Sequence, residues 1–181
     1  MRGFDGATTH EIAGAAATSK ANVHYYYGSK ENLYRAVLEN ILSVWLAPLD
    51  QFTEDADPAV VLRQYLHDKL TMSRSRADAS RVFASEVING GRHLRKFFRT
   101  SLRPLIDEKS QVIEAWIRQG KMRPVPPRHL FFLIWAATQT YADFSVQVEQ
   151  LLGLRRIDAG AFADAEAFLG TVLVRGLGLR Q

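Results

Sequence analysis

The chain contains no cysteine in 181 residues, which excludes disulfides, thiolate metal sites and a cysteine nucleophile. Its five histidines are scattered, without the close pairing that a zinc site needs, so no metal is expected. No glycine-rich phosphate loop is present, and no cofactor is expected. Asp143, Ser145 and His129 could be brought into a triad only by contrived geometry, so no catalytic site is expected. No run of about 18 apolar residues occurs, which excludes a membrane-spanning helix of ordinary length. The start lacks an apolar signal segment, and this points to the cytoplasm. Extreme charge is lacking too: 23 Lys and Arg stand against 19 Asp and Glu, a net charge of +4. Residues 1–40 contribute nothing to that excess, because Arg2, Lys20, Lys30 and Arg35 are balanced by Asp5, Glu11, Glu31 and Glu39.

What the chain does have is the stretch from Thr8 to Leu38. Thr8 suits the cap of a first short helix, with Glu11 three residues on to complete a capping box. Ile12, Ala13 and Ala16 are its apolar positions. Ser19 suits the cap of a second helix, running from about Lys20 to Tyr25. The cluster Tyr25, Tyr26, Tyr27, Gly28 ends it. Ser29 then caps a third helix with Glu31 in its first turn, where the dipole favours an acid. Two short helices joined by a tight turn form the layout that places a second helix in the DNA major groove. Lys20, Ala21, Asn22, His24 and Tyr25 lie on that helix, which is too short and too polar to be a core element. Asn22 can read an adenine edge, and Ala21 allows close approach to a base. Tyr25 and Lys30 suit phosphate contacts, which position a helix without specifying sequence. An ordinary surface hairpin of helices has the same spacing.

The residues Thr9, Ile12, Ala13, Ala16, Ser19, Tyr25, Ser29, Lys30, Glu31 and Leu33 resemble the signature of the TetR family of bacterial transcriptional repressors. The resemblance implies a helix-turn-helix head over residues 1–40 and a larger ligand-binding and dimerising helical body over 41–181. It also implies that Thr9 and Ser19 join the DNA contacts, and that the partner is a palindromic double-stranded operator. Two departures stand out. The family turn usually reads Ala-Gly-Val, whereas here it is Ala16, Ala17, Thr18; Gly accepts positive φ without strain and Ala17 does not. The family also has a helix before Arg2-Gly3-Phe4. Without it Phe4 and Ile12 would lack apolar cover, and the alternative expectation is a dimeric small-molecule-binding protein that no longer binds DNA.

The rest of the chain reads as helix throughout. From Ser29 to about Leu46, Leu33, Val37, Ile41, Val44 and Trp45 make an apolar stripe that Pro48 ends. A helix from about Ala59 to Arg74 precedes a polar break at Ser73 to Asp78. Ala79 to Ile88 ends at Asn89-Gly90-Gly91, a strong stop. His93 to Gln119 reads as one helix, basic at its start and kinked by Pro104. The basic start, His93, Arg95, Lys96, Arg99 and Arg103, reads either as a contact for DNA or an acidic partner or as a solvated face. Arg128 to Leu152 reads as one helix, apolar nearly all round through Phe131 to Trp135. Ala161 to Leu177 is the last helix. The large apolar faces of the last two helices suit a homodimer interface.

Trp135, Gln139 and Asp143 fall at i, i+4 and i+8 and share one side of their helix. A planar amide could stack on Trp135 and pair with Gln139. A Gln bonded to a neighbouring helix and an Asp in a salt bridge fit the spacing equally. The body resembles the RutR-type branch of the family, regulators of pyrimidine utilisation, over Trp45 to Leu49, Leu105 to Ser110 and Trp135 to Phe144. That resemblance implies a planar effector such as uracil or thymine, held by Trp135 and Gln139, with Asp143, Ser73 and Asn89 as further candidates. The fold expected is all-α.

Overall fold

A computed structural model describes residues 3–179; Arg2, counted in the charge balance above, lies outside the described residues. The architecture is all-α, with no strand among the described residues. The head comprises α1 (Gly3–Gly6), α2 (Thr9–Ala15), α3 (Lys20–Tyr27) and the start of α4 (Lys30–Leu46). Its boundaries follow from its caps. The Thr8 hydroxyl accepts from the Glu11 amide at 3.2 Å, and the Glu11 carboxylate accepts from the Thr8 amide at 2.9 Å. Ser19 and Ser29 cap α3 and α4 in the same way, accepting from the amides of Asn22 and Asn32. Each cap satisfies an amide that would otherwise lack a partner at a helix start. α3 runs two residues past the expected end at Tyr25, and stops at Gly28, whose φ of 72° few other residues adopt readily.

The body continues with a 3₁₀ turn (Ala47–Gln51), α5 (Pro58–Ser75), α6 (Ala77–Ile88), α7 (Arg95–Phe97), a π-helical turn (Phe98–Leu102), α8 (Arg103–Arg118), α9 (Pro127–Asp143), α10 (Ser145–Leu152) and α11 (Ala159–Gly176). Its centre is aromatic. Phe52 packs on Tyr65, Trp116 and Phe131 at ring separations of 5.4, 5.6 and 5.8 Å, tilted or edge-on as ring quadrupoles prefer. A second, smaller cluster of Leu38, Leu42 and Leu94, with Tyr34, Phe83 and Phe98 against it, joins α4 to the α6–α7 corner.

Four expectations change. The inward stripe of α4 is Leu38, Ile41, Leu42 and Trp45, while Val37 faces outward. Trp45, read as part of the stripe, is indeed core. The break at Ser73 to Asp78 shrinks to Arg76, because Ser73 is buried inside α5 and the chain only bends between α5 and α6. The rod from His93 begins at Arg95 and carries the π-helical turn just before Pro104. That turn accommodates the proline, which has no N–H to give and crowds the carbonyl four residues back. The helix read over Arg128 to Leu152 is two helices, broken at Phe144 with φ −114° and ψ 30°. No Pro or Gly marks that break. It follows Asp143, whose carboxylate is tied to α6 through Ser80.

Candidate functional site

The head presents its second helix outward. Lys20, Ala21, Asn22, His24 and Tyr25 are all exposed on α3, and only Val23 turns in to meet the head core with Ala13. The Asn22 amide reaches back to donate to the Thr18 hydroxyl at 3.3 Å. Tyr25 is 82% exposed and packs edge-on against Tyr26. Thr9 opens α2, and the Ser19 hydroxyl is engaged in its cap. The turn carries Ala17 at φ 50°, the strained geometry anticipated for it. Lys30 is not simply extended toward solvent: its ammonium lies 4.4 Å from the centre of the Phe4 ring.

Phe4 is covered after all. Its ring packs on Tyr34 at 5.1 Å and on His93 at 4.9 Å. His93 lies beyond α6, so this stack joins head to body. Beneath it is Glu86, whose side chain is 7% exposed. The His93 amide donates to Glu86 at 2.8 Å, and the His93 ring lies 3.1 Å from the same carboxylate. Burial alone would raise the Glu86 pKa. The hydrogen bonds and charge of His93, with the Tyr34 hydroxyl, outweigh burial and hold the carboxyl below its ordinary range. Burial, and then the Glu86 charge, push the Tyr34 hydroxyl up to about 12.

The second site lies where α4, α5, α6 and α9 meet. Gln139, Asp143 and Asn89 line one cleft of about 420 Å³, together with Arg81, Phe83 and Phe144. Trp135 is not brought to that cleft. Its ring joins the aromatic core, and its N–H donates to the Tyr65 hydroxyl at 2.7 Å. Ser73 lines a different opening, on the other side of Arg81. Asn89 donates to the Ser85 carbonyl at 2.7 Å. Asp143 accepts from the Ser80 hydroxyl at 2.5 Å. Burial raises the Asp143 carboxyl, with Ser80, Arg81 and Lys69 opposing it.

The residues not foreseen are Lys69, Trp45, Ser80 and Tyr65. Lys69 is 4% exposed, and its ammonium lies 4.6 Å from the centre of the Trp45 ring. Burial lowers its pKa to about 8 against the pull of Asp143. The Trp45 N–H is buried with no hydrogen-bond partner among the described residues. Phe83 packs edge-on against Trp45 and also lines the cleft of Gln139 and Asp143. The sequence held a signal for part of this: Tyr65, Lys69 and Ser73 repeat at four-residue spacing, and Lys69 falls on the helix face of Leu62, Leu66 and Leu70. A buried donor with nothing to bind demands an explanation. Trp45 and Lys69 do not line the cleft themselves; Phe83, packed on Trp45, and Asp143, whose charge acts on Lys69, connect them to it. The cleft's own amide and carboxylate suit a small flat molecule with carbonyl and N–H edges.

Among the described residues no cluster of three metal-ligating side chains occurs, and no helix is long and apolar enough to cross a membrane.

Two family models match the chain. Residues 1–37 match the model of bacterial regulatory proteins of the tetR family, and residues 38–180 match the C-terminal region of YcdC-like proteins. The chain is 42% identical over 175 residues to the HTH-type transcriptional regulator RutR of Escherichia coli K12, covering 97% of this chain and 82% of that one. It is 26% identical over 181 residues to the HTH-type transcriptional repressor NicS of Pseudomonas putida KT2440, covering 97% and 84%. In three dimensions it is similar to the TetR family transcriptional regulator PfmR of Thermus thermophilus, with a TM-score of 0.64 at 18% identity over 96% of this chain and 91% of that one.

Proposed function

The chain belongs to the TetR family and is a DNA-binding transcriptional regulator, and on that premise we propose a repressor whose effector is a pyrimidine base such as uracil or thymine. The observation that carries the effector is the unpartnered Trp45 N–H beside the buried Lys69 amine. A pyrimidine carbonyl would accept from one or both. The Gln139 amide can both donate and accept, and so can match a base edge that does the same. The resemblance to RutR-type regulators favours the same class. In this reading Trp135 sets the position of Tyr65 and the core rather than stacking on the ligand.

The repressor works as a homodimer on a palindromic operator, in the cytoplasm where bacterial DNA lies. Dimerisation uses the outward faces of α9 to α11, where Phe132, Leu133, Leu151, Phe168 and Val172 are each exposed. That much exposed apolar surface is unusual on a monomer. Two recognition helices must then sit about 34–36 Å apart to enter successive major grooves. A base that binds better to a body with another spacing weakens DNA binding by that difference in affinity.

The test is fluorescence anisotropy on DNA from upstream of the gene, across a salt series, with and without uracil. Tight binding that uracil weakens supports the proposal. No binding even at low salt, with uracil still raising the melting temperature, would identify a ligand-binding protein instead of a repressor. No response to uracil, thymine or cytosine would remove the pyrimidine reading.

A further inference from the structure

The head must bind a polyanion, yet residues 1–40 carry no net positive charge. Affinity for duplex DNA comes mainly from cations set against phosphates. Lys30, a natural phosphate contact, has its ammonium over the Phe4 ring. The charge needed is found next door. Between Glu86 and Asp107 the chain holds Arg92, Arg95, Lys96, Arg99 and Arg103 and no carboxylate. All five side chains are exposed. Arg92, Lys96 and Arg99 make no ion pair among the described residues, and Arg103 only a long one, 3.9 Å, to Asp107. A solvated face of this length normally intersperses acids with bases.

Its position matters as much as its charge. Arg92 and Lys96 share a cleft of about 430 Å³ with Glu31 and Arg35 of α4. Glu31 lies in the first turn of α4, next to Lys30, at the end of the helix that abuts the helix-turn-helix. The acids on that cleft are Glu31, already 3.5 Å from Arg35, and Glu39. The α7 corner is also fixed to the head, through His93 on Phe4 and Tyr34. A cationic ridge fixed to a DNA-reading head moves with it as one piece.

We propose that the ridge of Arg92, Arg95, Lys96, Arg99 and Arg103 is a second DNA-contacting surface, neutralising duplex phosphates that the recognition helix does not reach. It reads no base, so it adds affinity without sequence preference. Because the same corner carries Glu86 and His93, a shift of α6 alters both head position and ridge position at once. The proposal rests on the DNA-binding reading given above.

The test compares Lys96→Gln/Arg99→Gln with Arg155→Gln/Arg156→Gln, which removes the same charge from an exposed loop distant in sequence. Affinity for operator and for unrelated duplex is measured across a salt series. For the ridge variant we expect about a tenfold drop on both duplexes, and a salt slope flattened by about 0.9 for each phosphate no longer neutralised. The ratio of the two affinities should stay constant. The loop variant should bind like the wild type. If the ridge variant keeps the wild-type slope, or the loop variant weakens as much, the ridge has no special role and the proposal is overturned. A wild-type chain that binds no duplex overturns this proposal and the repressor reading together; a wild type that binds with an unchanged ridge variant overturns this one alone. Unchanged melting temperature of both variants confirms that folding is not being measured, and Lys96→Glu alone repeats the test with a single exposed change.

Discussion

The ammonium of Lys69 lies 4.6 Å from the centre of the Trp45 indole, inside the body and almost out of reach of water. Few arrangements keep an amine there without a purpose. Aromatic contact and the Asp143 charge recover part of the cost of burial. The pKa of about 8 shows that they do not recover all of it.

Lys69→Met should therefore stabilise the free protein. By its pKa shift the ammonium keeps a net cost of about 3 kcal/mol after the Asp143 attraction is counted, and a neutral side chain of similar length should regain ~1–3 kcal/mol. The same variant should lose the rise in melting temperature that uracil gives the wild type. Urea unfolding with and without the base measures both. A destabilised variant that still responds to uracil would rule out this account of Lys69.

The same shift sets a pH dependence. Above about pH 8 the folded amine has lost its proton, while the unfolded lysine keeps it to about 10.5. The unfolded state then binds more protons, so wild-type stability rises with pH in this window. Unfolding midpoints from about pH 7 to 9.5, below the range where tyrosines titrate, should climb for the wild type and stay flat for Lys69→Met.

Ala17 holds φ at 50° in the turn between α2 and α3. Ala17→Gly should relieve that strain and stabilise the head by about 0.5–1 kcal/mol. Ala16→Gly, at a residue with φ −88°, should give no such gain. Thermal melts of the two variants decide this, and equal effects would mean that the turn is not strained.

Glu86 ties His93 and Tyr34 into the contact between head and body. Glu86→Ala should cost about 3 kcal/mol, because it leaves buried donors unpaired. The carboxyl is held below its ordinary value, so its contribution is present above the unfolded pKa near 4.5 and is lost as pH falls through the folded value. Acid unfolding curves should show a steeper loss below about pH 5 for the wild type than for Glu86→Gln.

On α3, Asn22→Ala should lower operator preference by about 1–3 kcal/mol and leave non-specific binding intact. Competition anisotropy with operator and scrambled duplexes reads the ratio. A uniform loss on both duplexes would make Asn22 a backbone contact.

How much of this was legible beforehand differs by region. The caps at Thr8, Ser19 and Ser29 were readable because a cap is a local bond between residues three apart. The helix run of the body was readable from its 3.6-residue periodicity. The split at Phe144 was not, since Asp143 is anchored by Ser80, 63 residues earlier. Trp135 and Gln139 lie a single turn apart on α9, yet only Gln139 reaches the cleft, because Tyr65 of α5 holds Trp135 elsewhere.

The sequence by itself determined the all-α class, the capped helix-turn-helix and its outward residues, the strained Ala17 and the acid-free basic segment. These follow from local spacing, local hydrogen bonds and charge, which need no distant partner. The tertiary structure alone decided that Lys69 meets Trp45, that Phe4 finds cover on Tyr34 and His93, and that the basic segment lies beside the head. Those relationships join residues far apart in the chain, and only the packing of one helix on another brings them within a few ångströms.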